Sequence, residues 1–210
     1  PLVRIGKLPI IEHKLNYYIK QGLSNFIFCT GYKGDLIKKF VKKKYKKTLF
    51  YNNSVETGIL KRIYIARKSI KMTSIISYGD TLAKINFRNL IISHKRSKAV
   101  LSIVVAPIQN PFGLVEWNKK GIAKKFEEKP ILNHFIGYAV IEPRIFNYLN
   151  LGIINLKNGK GMVKAIQTLI KKKLVNVYKY NGLQMTVNST DELIQANKKM
   201  GNYFTFDEIL

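Results

Sequence analysis

The sequence predicts an α/β protein in which a mixed, mostly parallel sheet is flanked by helices. Two observations carry this prediction. Short apolar runs rich in Val, Ile and Phe alternate with longer segments of helical periodicity along the chain, an order typical of layered α/β folds. The 210 residues are 46% hydrophobic, which is enough for a sizeable core. No internal repeat or linker divides the chain, so we expect a single domain over residues 1–210.

The first half of the chain is predicted to alternate helices with strands. The opening helix ends at Gly22, and its apolar face consists of Ile10, Ile11, Leu15 and Tyr18. Further on, Asn86 can cap a helix through its side-chain oxygen. The predicted helices cover residues 9–21, 35–47, 58–70 and 87–94, and the predicted strands cover residues 26–30, 48–51, 74–77 and 99–106.

The second half mixes a hairpin with further strands and helices. A turn at residues 118–121 joins strands over 114–117 and 122–126. Ser189 and Glu192 form a capping box ahead of a helix over 193–200. The remaining predicted elements are a strand over 135–141, a short helix opened by Pro143, a helix over 162–172 and a strand over 175–180.

The net charge of +25 predicts attraction to anions. Lys and Arg total 37 against 12 acidic residues, so nucleic acid, an anionic membrane and small phosphorylated substrates are all compatible partners. The densest basic run, residues 38–47, has apolar residues at helical spacing and is typical of a solvated helix face rather than of a nucleic-acid stripe. No zinc-ligand pattern, RNA-binding signature or helix-turn-helix spacing supports a nucleic-acid partner.

Cysteine content and hydropathy indicate the cellular compartment in which the protein is expected. The single cysteine, Cys29, lies in an apolar run, so no disulfide framework exists and a reducing cytoplasm is expected. No apolar run is long enough to cross a bilayer. The three histidines (His13, His94 and His134) lack metal-ligand spacing and are predicted to be surface or interface residues.

A carboxylate directly follows one of the predicted strands. Tyr78, Gly79 and Asp80 end the apolar run of residues 73–77, and ligands bind at such strand ends in open α/β sheets. A hard cation such as Mg²⁺ takes oxygen ligands of this kind, usually shared with substrate phosphates. An Asp after a Gly is by itself more typical of a turn, so both interpretations stay open at this point.

Five local patterns occur in order along the chain. They are Pro-Leu-Val-Arg-Ile at positions 1–5 with Lys-Leu-Pro-Ile at 7–10, Thr-Gly-Ile-Leu-Lys-Arg at 57–62, Tyr-Gly-Asp-Thr at 78–81, Pro-Phe-Gly at 111–113 and Phe-Glu-Glu-Lys-Pro at 126–130. Gly137 and the run Val-Asn-Ser-Thr-Asp-Glu-Leu at 187–193 follow them. The series resembles the sugar-1-phosphate nucleotidyltransferases and, within them, the glucose-1-phosphate cytidylyltransferase branch. The resemblance covers nearly the whole chain and implies a Rossmann-like nucleotidyltransferase fold.

The resemblance implies a reaction between an NTP and a sugar 1-phosphate that yields an NDP-sugar and pyrophosphate. A phosphate oxygen of the sugar phosphate attacks the α-phosphorus in line, so catalysis rests on positioning two anions and neutralising their charge. Mg²⁺ is the implied cofactor. A homo-oligomer is compatible with the resemblance.

Residue roles follow from the same resemblance. Asp80 is implied as a first Mg²⁺ ligand, and Asn188 stands where the family more often has a second acidic ligand. An Asn carbonyl oxygen can ligate Mg²⁺, but with less charge than a carboxylate. Lys129 is implied to hold the sugar phosphate. The implied substrate-binding residues are Glu128 and Gly137 for the sugar, Thr57 and Gly58 for the base, and Gly79 beside Asp80.

These residues also have plain structural interpretations. Residues 128–130 can be an exposed strand end, Gly137 can mark a bulge, and Thr57 with Gly58 can be a helix N-terminus. The loop at Gly58 is shorter than the usual double-glycine version in the family, and Phe-Ile-Gly at 135–137 replaces an Asn-Gly pair and its final Gly. Neither base nor sugar selectivity therefore carries over.

The Gly-rich signature that cradles the triphosphate in the family precedes the proline matched by Pro1, and this sequence does not include it. We therefore expect that the native chain continues upstream through one strand and one loop, about 15–20 residues, or else that the triphosphate site has been lost. The alternatives are a catalytically inactive sugar-phosphate-binding module and, less favoured, a basic nucleic-acid-binding protein.

Overall fold

Strands and helices alternate over residues 1–200, the part of the chain that the computed structural model describes. The strands are β1 (Arg4–Ile5), β2 (Leu8–Pro9), β3 (Phe26–Thr30), β4 (Thr48–Asn52), β5 (Ser74–Ser77), β6 (Thr81–Ala83), β7 (Leu101–Gln109), β8 (Leu114–Trp117), β9 (Ala123–Glu127), β10 (Ile131–Ile141), β11 (Val175–Lys179) and β12 (Gln184–Thr186). The α-helices are α1 (Ile10–Lys20), α2 (Gly34–Lys44), α3 (Ile59–Ile65), α4 (Phe87–Ser97), α5 (Leu151–Ile154), α6 (Lys160–Lys171) and α7 (Thr190–Met200). Two 3₁₀ turns cover Ala66–Ser69 and Pro143–Tyr148.

The central sheet has four strands in the order β11-β7-β10-β5. β11 is parallel to β7, whereas β10 is antiparallel to both of its neighbours, β7 and β5. Three of the four strands therefore share one direction and only β10 opposes them, which confirms the predicted mixed sheet. Because β10 lies between two strands of the common direction, two of the three neighbouring strand pairs are antiparallel. The central sheet therefore has more antiparallel pairing than the predicted mostly parallel sheet.

A second parallel pair, β3 with β4, continues the same layered arrangement. Successive side chains of a strand point to opposite faces of a sheet. Phe26 of β3 and Ile75 of β5 pack against one core cluster, whereas Ile27 and Ile76 pack against the other. The strands β3 and β5 thus contribute to the same two core layers, one on each face of the sheet.

The two core layers are formed by different helices. On one face, α3 and α6 pack against the sheet around the fully buried Leu169. On the other face, α1 and α4 pack against it around Phe87 and Tyr138, which are 1% and 0% exposed. Helices on both faces of the sheet confirm the predicted α/β class.

Local sequence signals predict most of these elements correctly. The Asn86 side-chain oxygen accepts a hydrogen bond from the Asn89 amide at 2.9 Å and caps α4. The capping box is also present, because Ser189 Oγ accepts from the Glu192 amide (3.2 Å) and the Glu192 carboxylate accepts from the Ser189 amide (3.1 Å). Gly22 ends α1 with a left-handed φ of 82°.

The differences lie in short or extended pieces. The predicted helix 58–70 ends as an α-helix at Ile65 and continues as a 3₁₀ turn. β10 begins at Ile131 instead of residue 135, because its exposed first half pairs with the end of β7 as far as Gln109. The sequence did not predict β1, β2, β6, β12 and α5, which have two to four residues each.

His94 is not a surface residue, so that prediction was wrong. It is 1% exposed, its Nδ1 lies 2.7 Å from Ser102 Oγ and its Nε2 lies 3.0 Å from a Glu142 carboxylate oxygen. Both ring nitrogens therefore have polar partners, the buried Ser102 and the partly buried Glu142, which is how a core can accept a polar ring. His13 is also buried, at 5% exposure, with Nε2 at 2.9 Å from the Ile5 carbonyl oxygen.

No helix within residues 1–200 is both long enough and apolar enough to pass through a membrane. The predicted domain boundary at residue 210 lies outside the described residues.

We predict that Leu169→Ala lowers the free energy of unfolding by about 2–5 kcal/mol, because it leaves a cavity in a fully packed core. Val163→Ala on the same helix is the matched control, since Val163 is 57% exposed, and it should change stability by no more than about 0.5 kcal/mol. Urea unfolding of both variants checks this. Equal losses would contradict the assignment of the inner face of α6.

Candidate active site

Asp80 lies in a turn at the carboxyl end of β5, and a short strand pair joins that turn to Asn188. β6 pairs with β12 in antiparallel register, with Thr81 opposite Thr186. The pairing continues by one bond, from the Val187 amide to the Asp80 carbonyl oxygen at 3.0 Å. Asn188 follows Val187 directly. The structure therefore brings together the two predicted metal ligands, which are 108 residues apart in sequence.

The same turn is bound by Lys14, a buried residue that the sequence did not mark as part of the site. Lys14 lies in α1 and is only 6% exposed. Its Nζ donates to the carbonyl oxygens of Tyr78 (2.8 Å) and Thr81 and to the Tyr138 hydroxyl (2.9 Å). The available signal was helical spacing, since Lys14 falls four residues after Ile10 and so lies on the apolar face of α1.

Burial controls the electrostatics of the turn. It lowers the pKa of Lys14 to about 7, against which the nearby Asp80 carboxylate acts to raise it. The pKa of Tyr78 is raised, first by burial and then by Asp80. Asp80 is thus the negative charge around which this group of residues is organised.

Gly137 packs directly against the Asp80 turn. Its φ is +75°, and the register between β10 and β7 shifts between Phe135 and Ala139. The Gly137 carbonyl oxygen accepts from the Tyr78 amide at 2.9 Å. A Cβ at this position would lie 3.0 Å from the Tyr78 ring. Gly137 therefore marks a bulge, and the bulge lies at the predicted site.

Gly79 is exposed at the tip of the turn and lies against the first residue of the chain. A Cβ on Gly79 would lie 2.9 Å from the Pro1 ring. The Pro1 carbonyl oxygen accepts from the Ile11 amide at 3.0 Å. Pro1 is thus fixed beside the turn that carries Asp80.

Thr57 and Gly58 form a separate loop at the N-terminus of α3. Gly58 precedes the first helical residue, and a Cβ there would lie 2.4 Å from the Leu156 carbonyl oxygen. Close backbone packing therefore explains this glycine. The Arg62 guanidinium stabilises the loop by donating to the carbonyl oxygens of Ser54 and Val55, each at 3.1 Å.

Glu128 and Lys129 lie on an exposed arm. The arm consists of the β8–β9 hairpin and the adjoining ends of β7 and β10. The two side chains are 62% and 55% exposed, and Lys129 Nζ lies 3.7 Å from Glu128 Oε1. Lys129 has a left-handed φ of 45° and precedes β10, eight residues before Gly137. Within residues 1–200, no hydrogen bond or ion pair joins these two side chains to the Asp80 turn.

The side chains at the turn suit a hard divalent cation, although together they provide only one negative charge. Asp80 offers a carboxylate in which one oxygen accepts from the Thr81 hydroxyl at 3.2 Å, and Asn188 brings an amide oxygen. Mg²⁺ is commonly bound by one or two protein oxygens together with waters and substrate phosphates. Among the described residues no group of three His, Cys, Asp or Glu side chains could form a closed site.

The comparison with known proteins agrees with this geometry. The family model for nucleotidyl transferases matches residues 1–200. The chain belongs to the nucleotidyl transferase family. This confirms the resemblance inferred from the motifs, and the chain is a nucleotidyltransferase enzyme.

Two curated relatives and one solved structure are similar to this chain over most of its length. A probable glucose-1-phosphate cytidylyltransferase of Bacillus subtilis is 29% identical over 226 aligned positions, covering 94% of this chain and 86% of that protein. The glucose-1-phosphate cytidylyltransferase of Salmonella typhimurium is 26% identical over 71% of this chain and 69% of its own length. A solved structure of a putative glucose-1-phosphate thymidylyltransferase from Bacillus anthracis, in complex with a sucrose, superimposes with a TM-score of 0.69 at 17% identity, covering 94% of this chain and 84% of that chain. The structural match confirms the Rossmann-like nucleotidyltransferase fold.

We predict that Gly137→Ala destabilises the protein more than Gly121→Ala does. Both glycines have a left-handed φ, of 75° and 80°, but only Gly137 has a neighbour within 4 Å of an added Cβ. Each alanine should cost about 1 kcal/mol for backbone conformation, and Gly137→Ala should cost roughly 1–3 kcal/mol more through the Tyr78 contact. Thermal or urea unfolding measures the difference, and equal destabilisation would contradict the close packing at Gly137.

The lowered pKa of Lys14 predicts a pH-dependent stability. Below pH 7 Lys14 is protonated in both the folded and unfolded states. Above pH 7 the folded form loses this proton, whereas the unfolded chain keeps it up to the ordinary pKa of 10.5. Wild-type stability should therefore rise relative to Lys14→Met between pH 7 and 9.5, by at most about 1.4 kcal/mol per pH unit. Urea unfolding at pH 6, 7.5 and 9 tests this, and parallel pH profiles would contradict it.

Proposed function

We propose that this chain transfers a nucleotidyl group from an NTP to a sugar 1-phosphate, in a Mg²⁺-dependent reaction of the CDP-glucose type. The observation that carries the proposal is the Asp80 turn. It lies at the carboxyl end of a sheet strand, joined to Asn188, in a chain of the nucleotidyl transferase family. A carboxylate in this position is where phosphates and a cation meet in open α/β sheets.

The chemistry needs positioning more than covalent catalysis. A phosphate oxygen of the sugar 1-phosphate forms a bond to the α-phosphorus, and the bond from that phosphorus to the pyrophosphate oxygen breaks. Asp80 and Asn188 would hold Mg²⁺, which neutralises charge on the phosphates. Gly137 and Gly79 would contact the substrate through their backbone groups, since the Tyr78 and Pro1 rings already fill the space that a side chain would take.

Lys129 and Glu128 would act on the sugar phosphate from the arm. Both side chains are largely exposed and so are free to meet a ligand. The bulge at Gly137 lies between them and the Asp80 turn, and bulges bend the strands that carry them. Bending β10 at this point would bring the arm toward the turn. Thr57 and Gly58 would line the base from the loop before α3.

Cytosine is the base that the two curated relatives indicate. The two curated relatives described above are cytidylyltransferases at 26–29% identity. The matched solved structure is a putative thymidylyltransferase, so fold alone does not select the base. Glucose 1-phosphate is the sugar phosphate named in all three.

We further propose that a segment ahead of Pro1 completes the triphosphate site. Pro1 lies against Gly79, so any residue before it emerges beside Asp80. Among the described residues β3 pairs only with β4, and β5 pairs only with β10, although β3 and β5 share both core layers. An added strand between these two free edges would continue the sheet, and its end would bring a loop to the turn.

A second candidate is a module that binds sugar phosphate without catalysis. It is favoured by the single carboxylate at the turn, where Asn188 contributes no charge. Asn188→Asp separates the two candidates. In an inactive module this change should create or strongly raise activity, whereas in a working enzyme it should mainly lower the Mg²⁺ concentration needed.

The direct test is pyrophosphate release by the protein as its gene encodes it, including any residues ahead of Pro1. We expect release with CTP, glucose 1-phosphate and Mg²⁺, slower release with other NTPs, and a loss of about 100-fold or more in Asp80→Asn, because one charged transition-state contact is worth several kcal/mol. Asp191→Asn, on α7 near the site in sequence, is the matched control and should stay within a few-fold of wild type. No release with any NTP and sugar 1-phosphate would contradict the proposal.

A further inference from the structure

The backbone of the Asp80 turn is held by groups from three distant segments. The Tyr78 amide donates to Gly137 of β10, and the Asp80 carbonyl oxygen accepts from Val187 after β12. Two further carbonyl oxygens, of Tyr78 and Thr81, both accept from the Lys14 ammonium of α1. Lys14 thus contacts both ends of the turn.

Lys14 has the number of partners that an ammonium group requires. Its three acceptors match the three N–H donors of a lysine. The third acceptor, the Tyr138 hydroxyl, itself donates to the Thr81 carbonyl oxygen at 3.0 Å. Tyr138 is fully buried, and its hydroxyl lies 3.5 Å from that of Tyr18, which is 2.6 Å from Ser77 Oγ. Lys14 is therefore part of a buried polar network beneath the turn.

Burying Lys14 costs free energy, and packing alone does not explain why a lysine occupies this position. A buried lysine is unusual, because an ammonium loses its hydration on burial. It also places a positive charge near Asp80, where it opposes the binding of a second cation. A methionine or leucine would fill the same place on the apolar face of α1. What only the lysine provides is a fixed spacing between the two carbonyl groups on either side of Asp80.

We propose that Lys14 is a positioning residue for Asp80: its Nζ fixes both ends of the turn so that the Asp80 carboxylate is presented to a divalent cation. This inference rests on the proposed function, because it assigns the cation to Asp80. Groups that orient a metal ligand from behind commonly change metal affinity by 10- to 100-fold. The clamp should therefore outweigh the repulsion between the Lys14 charge and the cation.

The test measures Mn²⁺ binding to the full chain by EPR, with Mn²⁺ alone as the probe. We expect Lys14→Met to raise the dissociation constant about tenfold and Tyr138→Phe to raise it two- to fivefold, since the latter removes one partner but keeps the lysine. Tyr17→Phe is the matched control. Its hydroxyl, also on α1, donates to the Ile85 carbonyl oxygen at 3.1 Å, away from the turn, so the constant should stay within twofold.

A second readout separates positioning from general damage. In Lys14→Met the Mg²⁺ concentration for half-maximal pyrophosphate release should rise about tenfold, while kcat at saturating Mg²⁺ stays within about threefold. A loss of kcat at every Mg²⁺ concentration would point to a merely structural role and overturn the proposal. If Lys14→Met does not fold, the Tyr138→Phe result decides.

The outcomes separate the role of Lys14 from the existence of the metal site. Wild-type protein that binds Mn²⁺ with the same affinity as Lys14→Met, or more weakly than it, overturns the role of Lys14 alone. Wild-type protein that binds no Mn²⁺ overturns the metal site of the proposed function, and the role of Lys14 with it.

Discussion

The site depends on one constraint, which is that every segment meeting at the Asp80 turn must satisfy buried backbone groups there. Lys14 from α1, Gly137 from β10 and Val187 from beyond β12 each bond to the turn. These bonds tie the first helix, the central sheet and the last strand to four residues. A buried carbonyl or amide without a partner costs about 1–3 kcal/mol, so the turn cannot move without affecting all three.

Most helices and sheet strands could be predicted because their signals are local. The apolar faces of α1 and α6, the Asn86 cap and the Ser189 capping box depend on residues within four positions of each other. The strands β3 and β5 matched their predicted bounds because each is a short apolar run between polar residues. The order of motifs also identified the family, which no single motif could do.

The sequence could not predict how the site is assembled. β6 and β12 have three residues each, and their pairing joins positions about 100 residues apart, so nothing local marks them. In a chain with 37 basic residues, a lysine is expected at the surface. Only the position of Lys14 on an apolar helix face indicates that it is buried. The burial of His94 was also missed, because its hydrogen-bond partners Ser102 and Glu142 are not adjacent to it in sequence. The exposed arm shows the opposite limit: Lys129 matches a family motif, yet it lies before β10 with an exposed side chain that is not bonded to the Asp80 turn.

We propose that the Asp80 turn, rather than the exposed arm with Glu127 and Glu128, receives the cation. The most direct measurement is NMR of the ¹⁵N-labelled full chain during addition of Mn²⁺, which broadens nearby amide signals. We expect the signals of Asp80, Thr81, Val187 and Asn188 to broaden at the lowest Mn²⁺ concentrations, while those of Glu127 and Glu128 remain sharp. Broadening that begins on the arm and leaves the turn unaffected would contradict it.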